Sequence, residues 1–130
     1  MAKFAHKNVL DFGLNYIKDN ANILFLVDTY TLGNDYSTVE NNQMASIFLN
    51  DTDFTITDGA GASRILITTP GRTVQLLKPG VSGGVNMHFA FCNSAIDEVI
   101  WVTEESSDVL ISYGSILTIP SLSYTKAQPV

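Results

Sequence analysis

Beyond its N-terminal segment, the chain is a succession of short apolar or alternating stretches separated by residues typical of turns. The clearest alternation places Val85, Met87, Phe89 and Phe91 on one face and the residues between them on the other. A period of two is the signature of a β-strand. Ile23–Val27 is instead a continuous apolar run, typical of a short strand buried on both faces. These patterns predict a fold built from sheets.

Further strands are predicted between turn residues such as Pro-Gly and Gly-Gly pairs. A segment over 44–49 leads into a strand at 54–57, and other strands are predicted at 64–69, 73–77, 85–92, 98–103, 109–113 and 116–124. Short strands at this spacing, without interleaved helices, predict an all-β antiparallel β-sandwich of the jelly-roll or Ig-like type. We expect residues 1–130 to form one such domain. Pro120 indicates an edge strand or a bend, because proline cannot donate to a ladder.

One short α-helix is predicted near the N-terminus, over about residues 9–18. Asn8 is a suitable N-cap, and Leu10, Leu14 and Ile17 recur at helical spacing to form one apolar stripe. Gly13 costs about 1 kcal/mol relative to alanine, so the helix depends on packing. Residues 29–42 show no clear period and are predicted to form a long loop.

Composition excludes several classes of protein. Only 15% of the 130 residues are charged, against roughly 25% in an ordinary soluble domain. The net charge of −6 argues against a nucleic-acid partner, which needs clustered Lys and Arg. The single cysteine, Cys92, cannot close an intramolecular disulfide. No apolar run has the length of a signal or membrane segment, so we expect synthesis in a cytosol and no membrane partner.

No motif in the sequence predicts catalysis. Residues 80–84 match the G-x-S-x-G elbow, but a strand follows them where that motif needs a helix. His88 and Cys92 lie four residues apart on one strand, about 13 Å between their Cα atoms, which is too far to share a metal ion. The aspartates between residues 51 and 58 lack the spacing of a calcium loop and are expected to cap turns. We therefore predict a protein that is not an enzyme, with no catalytic residue, cofactor or metal ligand.

Several predicted strands are apolar on both faces, namely those around residues 99–102, 109–111 and 116–119. In a two-layer sandwich each sheet normally keeps one face in water. The second face is covered either by the N-terminal helix and residues 29–42, or by other subunits. The sequence leaves both explanations open.

Five short stretches of the sequence resemble a family of small virion proteins of tailed bacteriophages. They are Asn8-Val9-Leu10-Asp11 with Tyr16-Ile17-Lys18-Asp19-Asn20-Ala21, Asp53-Phe54-Thr55-Ile56 with Asp58-Gly59, and Leu117-Thr118-Ile119-Pro120. The resemblance covers nearly the whole chain. It implies a capsid decoration, or cement, protein that is made in the host cytoplasm and sits on the capsid surface. The implied partners are the major capsid protein and further copies of the chain, as a dimer or trimer.

Interface residues are predicted among exposed aromatic and edge positions, since aromatic side chains dominate contact energies. The candidates are Tyr30, Tyr36, Trp101, Tyr113, Pro120 and Tyr124. A single Trp packs in a sandwich core more often than in an interface. Alternatively, Tyr30 and Tyr36 with Asn34 and Asp35 form the aromatic platform of a carbohydrate- or receptor-binding fibre module. A tail or connector subunit is a third interpretation.

Overall fold

A computed structural model describes residues 6–76, 86–108 and 116–128. Helix α1 spans Lys7–Asn20 and helix α2 spans Tyr36–Asn41. The strands are β1 (Ile23–Val27), β2 (Gln43–Phe48), β3 (Phe54–Asp58), β4 (Arg64–Thr68), β5 (Thr73–Gln75), β6 (Asn86–Asn93), β7 (Glu98–Asp108), β8 (Ile116–Thr118) and β9 (Ser123–Lys126). The described part of the chain is mostly β, in antiparallel sheets, which confirms the predicted β class with a short N-terminal helix.

The described strands form sheets of four, three and two strands, in the orders β2-β1-β6-β7, β3-β4-β9 and β5-β8. One face of the four-stranded sheet packs against the three-stranded sheet, so that the rings of Phe91 and Phe54 lie 5.8 Å apart. Helix α1 adds Leu14 and Ile17 to the same main core. The arrangement is sandwich-like, while the jelly-roll or Ig-like type and the single domain stay predictions.

Strand β1 is buried along its whole length, as its apolar run predicts. Leu24 and Leu26 point into the main core. Ile23, Phe25 and Val27 point to the opposite face and into a second core, which also holds Ala90 and Cys92 of β6. The period of two in β6 is confirmed, because Met87, Phe89 and Phe91 all lie in the main core.

A β-bulge explains the run of four apolar residues in β7. The pairing register shifts between Phe91, opposite Trp101, and Cys92, opposite Val99, which leaves Ile100 as the additional residue. Such a bulge turns two consecutive side chains to one face. Ile100 and Trp101 accordingly pack at the main core, and Val99 and Val102 pack at the second core.

The second core is covered by the chain itself. Asp35 caps α2 by accepting a hydrogen bond from the Thr38 amide at 2.9 Å, and the buried side chains of Tyr36 and Val39 pack on the second core. The prediction of a loop throughout residues 29–42 is therefore wrong, because an N-cap and an apolar anchor suffice to form a helix of six residues. The predicted strand at 109–113 lies outside the described residues.

Two other predicted boundaries differ from the structure. Helix α1 begins at Lys7, so Asn8 lies inside the helix and its assignment as the N-cap is wrong. The predicted strand at 116–124 is two strands, β8 paired with β5 and β9 paired with β4. Pro120 lies between them, which agrees with the predicted bend.

Candidate binding groove

An aromatic groove lies between α1, β7 and β9. Its volume is about 360 Å³. The residues that line this groove are Phe12, Gly13, Tyr16, Ile17, Glu98, Val99, Ile100, Tyr124 and Lys126. We refer to this surface as the groove.

Helix α1 forms one wall of the groove because its apolar residues lie on two faces. Leu10, Leu14 and Ile17 are buried, as the stripe predicts. Phe12 and Tyr16 are 79% and 42% exposed, and their spacing of four residues places them on one side of the helix. The helix therefore presents two aromatic rings to solvent beside the groove.

Strands β7 and β9 form the other wall, and in the described part of the chain each is the edge of its sheet. The ring of Tyr124 meets Trp101 edge to face at 5.7 Å, while 37% of its surface stays exposed. Lys126 is two residues further along β9, so it points to the same face as Tyr124. The apolar floor of the groove therefore has the ammonium group of Lys126 at its rim.

A carboxylate and an ammonium group line the groove without pairing with each other. The Tyr16 hydroxyl donates a hydrogen bond to Glu98 Oε1 at 2.5 Å, and this bond to the carboxylate raises the pKa of Tyr16. Within the described residues, the ion pairs involve the two arginines and not Lys126. The charge of Lys126 is therefore available to a bound molecule.

Arg64 links α1, which forms one wall of the groove, to the three-stranded sheet. Its Nε and second terminal nitrogen reach the two carboxylate oxygens of Asp11 at 2.7 and 3.2 Å, and its other terminal nitrogen binds Asp58. The hydrogen bond to Asp11, more than that to Asp58, raises the pKa of Arg64. Bidentate pairing gives the contact a defined geometry.

The predicted interface residues do not share one surface. Tyr124 lines the groove. Trp101 is 8% exposed and stacks on Phe91 at 4.6 Å between ring centroids, so it takes the core position that is more usual for a single Trp in a sandwich and is not an exposed anchor. Pro120 is exposed but does not line the groove. Tyr113 lies outside the described residues.

The predicted aromatic platform at residues 29–42 is also wrong. Tyr36 is 8% exposed and meets Phe25 edge to face at 5.7 Å. Tyr30 is half-buried against the second core, with its ring 6.0 Å from that of His88. Asp35 is engaged as the cap of α2. Both tyrosines are used to cover the four-stranded sheet.

The other candidate chemical groups have structural roles. Cys92 is fully buried in the second core, and burial raises the pKa of its thiol to about 12. Asp53 completes a capping box with Asn50 and pairs with Arg72. Across 6–76, 86–108 and 116–128, no three His, Cys, Asp or Glu side chains group as a metal site requires. Residues 80–84 lie outside the described residues.

No helix in the described part of the chain is both long and apolar enough to span a membrane.

The helical half of the groove is not among the residues that the sequence patterns predict for an interface. Phe12 and Tyr16 lie off the apolar stripe of α1 at a spacing of four residues. Two aromatic residues on the expected wet face of a helix are a signal for an exposed contact surface. The part of the groove that β7 forms is not predictable from the sequence. The bulge at Ile100 determines on which face of the sheet the side chains of Glu98 and Val99 lie.

Comparisons with known protein families, with curated proteins and with solved structures give no match to this chain.

Proposed function

We propose that this protein is a structural component of a tailed-bacteriophage particle, a capsid decoration protein that binds the major capsid protein lattice and stabilises the head. The proposal combines the resemblance of the sequence to small phage virion proteins with one structural observation, the groove. Its site of action is the capsid surface, reached after synthesis in the host cytoplasm. The role is one of binding and needs no cofactor.

The groove supports a protein that works through contacts with other polypeptides. Exposed aromatic residues around an apolar depression mark interaction surfaces, and Tyr and Phe are enriched in the centres of protein interfaces. The rings of Phe12, Tyr16 and Tyr124 are held by α1 and β9, which the main core and Arg64 fix in place. A rigid framework limits the entropy lost on assembly.

Quantitative mass spectrometry of purified particles tests the proposal. A decoration protein is present in hundreds of copies, in a fixed ratio to the major capsid protein. A few copies or a few dozen would place the chain in the tail, the connector or a fibre, and absence from the particle would overturn the proposal. Shells assembled without the chain should bind it when it is added back, and should then resist heating better.

A carbohydrate-binding role is the second candidate, and the Tyr16–Glu98 pair favours it. Sugar sites combine an aromatic platform with carboxylates and hydroxyls, and the groove places Phe12 and Tyr124 beside that hydrogen-bonded pair. A glycan array separates the two functions. Binding to a defined glycan that Phe12→Ser abolishes would support an adhesion module, while no binding together with a high copy number leaves the capsid role.

A further inference from the structure

Gly13 occupies a position in α1 where this chain does not require glycine. A Cβ atom built there would meet no atom within 4 Å, and the backbone of Gly13 is not in the left-handed region. Glycine is a poorer helix residue than alanine because it loses more backbone entropy on folding. The absent side chain leaves the backbone of α1 open where it borders the groove.

Phe12 and the groove have complementary shapes. Phe12 projects from α1 with most of its ring in solvent. Beside it, Tyr16, Ile17, Ile100 and Tyr124 line a depression that nothing in the described structure fills. A projecting aromatic ring and an aromatic-lined depression on the same surface allow that surface to pair with itself.

The charges at the groove are also self-complementary. Glu98 and Lys126 carry opposite charges on two different strands, and Lys126 forms no ion pair among the described residues. A chain with a net charge of −6 repels its own copies unless local charges compensate. A two-fold contact lets the ammonium of one copy meet the carboxylate of the other, twice.

We propose that the groove binds a second copy of this chain in a two-fold symmetric dimer. The α1 helices of the two copies cross at Gly13, where the missing side chains permit close approach. Phe12 of each copy enters the groove of the other, and Lys126 of each copy pairs with Glu98 of the other. In such an isologous contact each residue meets its partner reciprocally, so each groove is complete only in the dimer.

A second copy fits these features better than an unrelated ligand. A sugar would use the aromatic rings and the Tyr16–Glu98 pair but would not require glycine in the helix. A basic peptide would meet Glu98 and be repelled by Lys126. The inference rests on the proposed role as an assembly protein, and it deepens that role by naming the partner of the groove.

Sedimentation equilibrium of the full chain tests the dimer, across concentrations from about 1 µM to about 500 µM. We expect a reversible dimer with a dissociation constant on the order of 10 µM, because each copy contributes one aromatic anchor and one surface ion pair to the contact. Phe12→Ser should raise this constant at least about 30-fold, as loss of a central aromatic anchor does. Phe48→Ser is the matched control, since Phe48 is 74% exposed outside the groove.

A charge exchange separates a second copy from any other occupant. Lys126→Glu and Glu98→Lys each place like charges across the two-fold contact, and each should raise the dissociation constant about 10-fold. The double variant restores opposite charges and should recover most of the dimer.

A monomer at all concentrations, a closed trimer, or a dimer lost on Phe48→Ser but kept on Phe12→Ser would each overturn the proposal. Failure of the double variant to recover would overturn the two-fold pairing. A monomer that still binds shells in hundreds of copies would leave the capsid role standing without the dimer.

Discussion

Two aromatic regions of this protein differ in their exposure to solvent. In the second core, Tyr36 and Phe25 pack edge to face and are sealed by α2. In the groove, Phe12, Tyr16 and Tyr124 remain open to solvent. The difference lies in whether a described segment covers the region, because both regions start from apolar side chains on a regular element. In the described part of the chain, a surplus of apolar residues stays exposed to solvent only where no loop or helix packs on it.

The largest expected effect separates the energetics of the two regions. Tyr36→Ala should lower the free energy of unfolding by about 3 kcal/mol, because it removes a buried ring and leaves a cavity. Phe12→Ala should change it by less than about 0.5 kcal/mol, since the ring is already in water. Urea unfolding of dilute protein measures both. Equal losses would show that the ring of Phe12 supports the fold as much as the ring of Tyr36 does.

Removing the anchor of α1 should have the next largest effect. Arg64→Leu should cost about 2 kcal/mol, because it leaves the half-buried carboxylate of Asp11 without its charged partner. Asp58→Asn is the control, since the Asp58 side chain is 87% exposed and its loss should cost less than about 0.5 kcal/mol. Similar costs for the two variants would mean that Arg64 does not hold the helix.

Gly13→Ala should stabilise the isolated chain while weakening the dimer. The free energy of unfolding at low concentration should rise by about 1 kcal/mol, the difference in helix propensity, because the added Cβ meets no atom. The dimer dissociation constant should rise at the same time. A variant with a stabilised fold and an unchanged dimer would show that Gly13 is not at the contact.

The smallest effect near neutral pH concerns the thiol of Cys92. Burial raises the pKa of this thiol from its ordinary value of 9.0 to about 12. Below pH 9.0 the stability of the folded chain is unaffected by ionisation of this thiol. Stability falls as the pH rises from 9.0 towards 12, because the thiol ionises in the unfolded chain before it ionises in the folded chain. Native Cys92 should therefore resist alkylation at pH 8, whereas a thiol introduced by Phe12→Cys in the groove should react at once. Rapid labelling of native Cys92 would contradict a sealed second core.

The sequence predicts the framework where one element carries its own signal. The alternation in β6 and the apolar run of β1 identify strands and their faces. The Asp58-Gly59 turn leads into the hairpin between β3 and β4, where the Gly59 amide donates to the Ser63 carbonyl at 2.9 Å. The buried stripe of α1 is equally local, although its first turn begins before Asn8.

The groove is not predictable because it joins residues far apart in the chain. Tyr16 and Glu98 are 82 positions apart and meet only after both sheets have formed. Helix α2 is too short to show a helical period. The sequence therefore does not predict that Tyr36 packs on the second core and covers it. The sequence pattern consequently places an aromatic platform at residues 29–42, whereas in the structure the exposed aromatic rings of the groove lie on α1 and β9.

Disulfide trapping of Gly13→Cys tests the proposed dimer most directly. A two-fold axis beside position 13 brings the two introduced thiols within disulfide distance, about 4.4–6.8 Å between Cα atoms, while buried Cys92 does not compete. The proposed two-fold contact predicts a covalent dimer under mild oxidation, and far slower trapping for Asn15→Cys, an exposed position of α1 that does not line the groove. Equal rates for the two variants, or no covalent dimer from Gly13→Cys, would contradict it.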